Sequence, residues 1–182
     1  MKGILRNLHR YVFWLLISAV FWSWVSLLAV DAPADRKLVL YAEVPGLERK
    51  ALEAALEKDL PEHIRFVDAN AFMDDMFSPS GVSAGDIFIV SADRAEQFLP
   101  SFAPLEGEAF GDAPLYVSDG TAYGVCVYDE AAGIRVGTEY LTYAPGQTYY
   151  LFFNAGSGHI APWNDSGDDA AIRAAGTLLT LP

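Results

Sequence analysis

One cysteine and three histidines are all that 182 residues supply of those types. A lone cysteine excludes an internal disulfide, so packing must hold the fold together whatever the redox compartment. That residue, Cys126, sits in the apolar alternation of residues 123–128, which is the setting of a small buried hydrophobe and not of a reactive thiol. No cysteine stands just after the first hydrophobic run, so any anchor there is the polypeptide and not a lipid. His9, His63 and His159 are widely separated, and no two share the spacing of a zinc site. Walker and dinucleotide glycine patterns are absent, and Gly156-Ser157-Gly158 lacks the strand-turn-helix context of a nucleophile elbow. Asn164, Asp165, Asp168 and Asp169 offer oxygens without the ligand spacing or closing Glu of a calcium loop, and suit the N-terminus of a following helix. Asp74 and Asp75 are adjacent and would diverge on a helix, which prevents a paired-carboxylate site. No catalytic residue, metal or cofactor is expected, and an enzyme is the weakest functional class. Internal repeats and low-complexity tracts are absent as well.

Basic charge is also scarce, with 12 Lys and Arg against 24 Asp and Glu. Its distribution is more telling than its amount. Lys2, Arg6 and Arg10 precede residue 31 and no acid does, so the rest of the chain holds 9 basic and 24 acidic residues, a formal balance of −15. Such a field repels phosphate backbones, which excludes nucleic acid as a partner; a basic protein or a cationic solute is permitted. An acidic surface that keeps an exported domain soluble is the plainer explanation.

What the chain does possess is a run of twenty residues, 11–30, with no charged side chain. At 1.5 Å per residue a helix of that length spans the ~30 Å hydrocarbon core, and the three preceding cations bias residues 1–10 to the cytoplasm. Two readings compete. The run is an uncleaved signal anchor, or it is a signal peptide removed near Ala34, since Ala32-Pro33-Ala34 has an A-x-A form. Length favours the anchor, because signal h-regions run about 7–15 residues, and Trp14, Trp22 and Trp24 suit a membrane helix and its interfaces. Both readings place the remainder outside the cytoplasm.

Residues 31–36 are a short polar link, and residues 37–182 have the size of one domain. Strand and helix alternate from Lys37: a strand over 38–43, a helix over 47–60 with Leu52, Ala55, Leu56 and Leu60 on one face, a strand over 64–67, a short helix over 71–77, a turn-rich stretch over 79–85, a strand over 86–90 and a helix over 93–99 stopped by Pro100. The continuous apolar run of Ile87, Phe88, Ile89 and Val90 fits a strand covered on both faces. Beyond Pro104 come strands at 115–117 and 122–127 around a Ser118-Asp119-Gly120-Thr121 turn, an irregular Gly-rich stretch with a strand near 139–143, an aromatic strand over 148–154 and a closing helix over 168–181. The expected fold is α/β, an open and mainly parallel sheet with helices on both faces, behind an N-terminal transmembrane helix.

Several of these segments, taken in order, resemble the extracellular solute-binding proteins of ABC importers, which have the type II periplasmic-binding fold. Residues 37–41 and the following helix look like the family's opening strand and first helix. Gly85-Asp-Ile-Phe-Ile-Val-Ser91 with residues 95–99 and 102–105 is similar to its third strand and the stretch beyond. Residues 119–125 look like the re-entrant hairpin, and residues 149–154 with Ser157 and His159 resemble a later part of the same lobe. Family members have two lobes, whereas here only residues 129–147 stand where the second would be inserted, so the resemblance implies a single lobe offering half a cleft. A small-molecule solute, an envelope protein, a permease or a second copy completing the open side are the partners it implies.

In open α/β sheets ligands lie beyond the carboxyl ends of the strands. That rule selects Tyr41 and Glu43 after the first strand, Asp68 after the second, Ser91 and Asp93 after the third and Tyr123 near the hairpin as candidate ligand-binding residues, with Ser91 and Asp93 also suited to capping the next helix. Tyr140 and Tyr143, if exposed, would mark a partner surface. The expected role is that of a membrane-anchored, extracytoplasmic binding or accessory module; the alternative is an envelope scaffold that binds no ligand.

Overall fold

The computed structural model describes residues 2–30, 33–72, 85–105, 110–161, 163 and 167–182, with side chains of the first helix described over residues 10–25. That helix, α1, spans Lys2–Val30. Among the described residues no helix is long and apolar enough to cross a membrane. Two compact units result, Met1–Pro33 and Ala34–Pro182.

In the second unit a 3-10 turn, Ala34–Arg36, leads into β1 (Lys37–Ala42). Next come β2 (Gly46–Leu47), α2 (Arg49–Leu56), β3 (Phe66–Ala71), β4 (Ile87–Ser91) and α3 (Ala92–Phe98). The remainder holds β5 (Leu115–Ser118), β6 (Thr121–Asp129), β7 (Ile134–Arg135), β8 (Leu141–Thr142), β9 (Tyr149–Phe153) and α4 (Ala170–Thr180). The helix expected over 47–60 is shorter, because Gly46 and Leu47 pair with Thr142 and Leu141, and residues 57–59 tighten into a 3-10 turn before Pro61. The strand expected over 64–67 starts later, since the Ile64 amide donates to the Pro61 carbonyl in a turn. The short helix expected over 71–77 and the turn over 79–85 fall largely on residues 73–84, outside the described residues; Ala71 itself ends β3.

Seven strands form one sheet in the order β3-β1-β4-β9-β6-β5, with β7 beside β6. Strand β1 runs parallel to β3 and β4, while β4–β9, β6–β9, β5–β6 and β6–β7 are antiparallel. The expectation of a mainly parallel sheet is therefore corrected to a mixed one. The physical reason lies in the second half of the chain. Two-residue turns join only antiparallel strands, and Asp119 and Gly120, with φ of 49° and 78°, make such a turn between β5 and β6. The aromatic strand β9 then enters between that hairpin and β4.

Helices cover both faces of the sheet. Successive strand side chains point to opposite sides, so Leu38, Leu40, Ile87, Ile89, Leu151 and Phe153 meet Leu52 and Leu56 of α2 and the Ala171, Ala174 and Leu178 stripe of α4. On the other face Tyr41, Phe88, Val90 and Phe152 pack with Ala95 of α3 and with Phe102. All five residues of β4 are buried, as its unbroken apolar run leads one to expect.

Phe152 stacks on Phe102 with centroids 4.4 Å apart. The stack is possible because its neighbour across the ladder is Gly124, where a Cβ would lie 2.6 Å from the Phe152 ring and 3.0 Å from the Leu151 carbonyl oxygen. Gly124→Ala is expected to destabilise the domain by about 1–3 kcal/mol, the range of core overpacking. A lower urea midpoint at an unchanged slope is the measurement that checks it.

Candidate functional site

The carboxyl end of β4 meets the amino end of β9, because Ser91 pairs with Tyr149, and Tyr149 in turn lies opposite Tyr128 of β6. One rim of the sheet is thus shared by the ends of β1, β4 and β6 and the start of β9. Glu43, just past β1, accepts hydrogen bonds from the Ser91 amide and hydroxyl, both at 3.1 Å, and from an Arg94 guanidinium nitrogen at 2.7 Å. Ser91 stands at the N-cap of α3 without a side-chain capping bond, its hydroxyl being given to Glu43 instead. The Arg94 guanidinium lies over two rings, 5.7 Å from the Phe72 centroid and 5.8 Å from that of Phe98. Asp93 lies exposed in the first turn of α3. The structure therefore brings Glu43 and Ser91 together, but joins them to each other and to Arg94.

Farther along the same rim a shallow concavity of about 280 Å³ is lined by Asp129, Glu130, Ala131, Gly146, Gln147 and Thr148. Sequence reasoning missed it because it is assembled from two separate segments, residues 129–131 and 146–148. Asp129 accepts the amides of Ala131 and Ala132 at 2.9 and 3.0 Å and so shapes one wall. The side-chain oxygen of Gln147 accepts from the Tyr149 hydroxyl at 2.8 Å.

Asp68 sits within β3, not past its end, because that strand runs longer than expected. Lys37 approaches it at 2.7 Å, and Arg49 bonds to its other oxygen. Burial on its own would raise the Asp68 pKa, but these two cations outweigh it and hold the carboxyl below its ordinary range. Arg49 also pairs with Glu53 at 2.7 Å, and Glu53 accepts the Ala69 amide at 3.0 Å, which satisfies a donor on the edge strand. Tyr41 is buried with its ring stacked on Phe88. Tyr123 is half-buried against the aromatic cluster of that face.

The two tyrosines proposed as a partner surface do not form one. Tyr143 is buried, stacked on Tyr128 with centroids 4.4 Å apart, and its hydroxyl donates to the Val136 carbonyl at 2.9 Å. It is thereby corrected from surface to core, and burial pushes its pKa well up. Tyr140 is half-buried and packs against the main core. Alternation from an assumed strand misled here, because residues 138–140 form a turn and only Leu141 and Thr142 are extended.

The opposite rim holds a denser polar network. Asp86, buried just before β4, accepts the Val39 amide at 2.8 Å and the Ser157 hydroxyl at 2.6 Å. Burial raises its pKa, and the Ser157 and Val39 bonds oppose that rise without cancelling it. Asn154 donates to the Gly85 carbonyl at 2.7 Å. The Ser157 oxygen accepts the His159 amide at 3.0 Å, while the His159 ring turns away to Asp168 at 2.9 Å and to the Ala34 carbonyl at 3.1 Å. Asp168 also takes His63 at 2.7 Å and the Ala170 amide at 2.9 Å, which places its charge at the start of α4. Asn164 and Asp165, read with it as helix-start oxygens, lie outside the described residues. Serine, histidine and aspartate are close, but the hydroxyl proton goes to Asp86 and both imidazole nitrogens are engaged, so no Ser–His hydrogen bond of a nucleophile–base pair is formed. The Ser157-x-His159 spacing was visible in the sequence; the partners Asp86 and Ala34 were not.

Cys126 is buried in β6, and burial pushes its thiol up to about 11. Its thiolate population near neutral pH is accordingly very small. In the native protein Cys126 is expected to react with an aromatic disulfide reagent at least a hundredfold more slowly than in urea. Equal rates in the two states would show that β6 is open.

No protein-family model matches this chain, and neither does any curated protein or solved structure.

Proposed function

We propose that this chain is a membrane-anchored, extracytoplasmic α/β module, built like one lobe of a solute-binding protein, that serves as a binding or accessory subunit beside a transport partner. One observation carries it. A single α/β unit, Ala34–Pro182, follows a helix whose sequence holds twenty consecutive uncharged residues, and every acidic residue lies after that run. Three cations before the run and none of the acids favour an N-terminus in the cytoplasm and a domain outside it.

The sheet supports the lobe comparison in its parallel part, β3-β1-β4, with helices on both faces. The concavity on the carboxyl rim, about 280 Å³, falls at the lower edge of the ~300–1,000 Å³ typical of small-molecule sites. Asp129 and Glu130 on its wall suit a small cationic or amine solute. A site of this size, walled on one side, needs a second surface to bury a ligand, and a permease or a second copy would provide it. A non-binding scaffold is the second reading, favoured by the internal pairing of Glu43 with Arg94 and of Asp68 with Lys37 and Arg49.

Protease added to intact cells is expected to digest residues beyond 36 and spare the N-terminus; digestion only after the cytoplasmic side is opened would end the anchored, outward-facing assignment. In thermal-shift screens of the full chain in detergent, a small amine or basic amino acid is expected to raise the melting point with concentration, and Glu130→Gln to weaken that rise. A flat response to sugars, amino acids, peptides and cations would remove the ligand-binding reading and leave the scaffold.

A further inference from the structure

The His159 ring stands between two hydrogen-bond acceptors contributed by distant parts of the chain. Nδ1 lies 2.9 and 3.0 Å from the two Asp168 oxygens, and Nε2 lies 3.1 Å from the carbonyl oxygen of Ala34, the first residue of the domain unit. A neutral imidazole owns one N–H and satisfies only one of these acceptors; both bonds together require the imidazolium. The ring is 4% exposed, so water does not readily replace a lost partner.

Its surroundings are defined on every side. Asp168 faces it from the segment before α4, and Asp86 from the segment before β4. His63, on the loop before β3, reaches the same Asp168 carboxylate at 2.7 Å. On the Ala34 turn itself Asp35 and Arg36 pair at 4.0 Å, and on α4 Asp169 and Arg173 pair at 2.8 Å. Burial on its own would lower the His159 pKa, but the Asp168 and Ala34 bonds and the Asp86 charge outweigh it and hold it above the ordinary 6.5.

We propose that His159 is a pH-operated latch: as imidazolium it fastens the lead-in turn Ala34–Arg36 to Asp168 at the start of α4, and on losing its proton it keeps Asp168 and lets go of Ala34. The carboxylate retains the remaining N–H because it is the stronger acceptor. A folded-state pKa raised above the unfolded value contributes stability that is fully present below about 6.5 and is lost as pH rises through the folded value. Asp86, also raised, loses its contribution with rising pH from 3.8 upward, whereas Asp68 and Asp168, both lowered, lose theirs as pH falls below 3.8. The latch therefore opens on the alkaline side, in a range separate from the acid limb. What it frees is the turn Ala34–Arg36 that leads into β1. The latch rests on the His159 contacts and not on the ligand-binding role.

The test uses the full chain in detergent, with isotope-labelled histidine to follow the ring's protonation and hydrogen exchange of residues 34–39 between pH 5.5 and 9, corrected for intrinsic rates. Protection of that stretch is expected to fall roughly ten- to a hundred-fold as His159 deprotonates, the effect of one charge-assisted hydrogen bond, while β4 and β9 stay protected. His159→Gln is expected to abolish the pH step and Asp168→Asn to move it to lower pH, with His63→Gln leaving protection below the step intact. The wild-type titration decides the matter even where a variant does not fold. A ring that titrates with no change at residues 34–39, a ring that stays neutral throughout, or a loss of protection spread evenly over the domain would each overturn the latch.

Discussion

Burial of β4 on both faces is the constraint on which the rest of the domain depends. A strand with five buried residues needs a partner on each edge and a cover above and below, since each unpaired backbone group out of water costs about 1–3 kcal/mol. Strand β1 supplies one edge and β9 the other. Cover comes from α2 and α4 on one side and from α3 with Phe102 on the other. The meeting of a parallel half and an antiparallel half at β4 and β9 is the result of filling those two edges from separate stretches of chain.

The polar residues follow the same logic at the two rims. Among the described residues, carboxylates near the core end in defined sets of donors: Glu43 at Ser91 and Arg94, Glu53 at Arg49 and Ala69, Asp68 at Lys37 and Arg49, Asp86 at Val39 and Ser157, Asp168 at His63, His159 and Ala170. With 24 acids against 12 Lys and Arg in the chain, cations are the scarce partners, and backbone amides and histidines fill part of the gap. Partly exposed pairs of this kind contribute modestly to stability; their larger effect is to fix where the loops at each rim begin.

Local chemistry made much of the fold legible in the sequence. The unbroken Ile87–Val90 run announced a strand buried on both faces, the Leu52, Ala55 and Leu56 spacing announced the inner face of α2, and Asp119-Gly120 announced the hairpin. Long-range pairing was not legible, because residues 149–153 read as an apolar strand whichever neighbours they take. For that reason the sheet looked mainly parallel. The rim residues were chosen by position along strands, which placed Glu43 and Ser91 together correctly but gave no sign that Arg94 would occupy them. Tyr143 looked like surface because a two-residue strand, Leu141–Thr142, carries too few positions for its alternation to be read.

The position of β9 bears on how the chain can be made. Strands β1, β3 and β4 are complete by residue 91, yet the slot beside β4 is filled by residues 149–153 and the facing helix by residues 170–180. During synthesis the first half must wait with its most apolar strand uncovered until residues 149–180 arrive. Contacts of such long sequence separation slow folding and prolong exposure of unpaired edges. Folding of this domain is therefore closed by residues 149–153 and 170–180, and a substitution that weakens either segment uncovers β4.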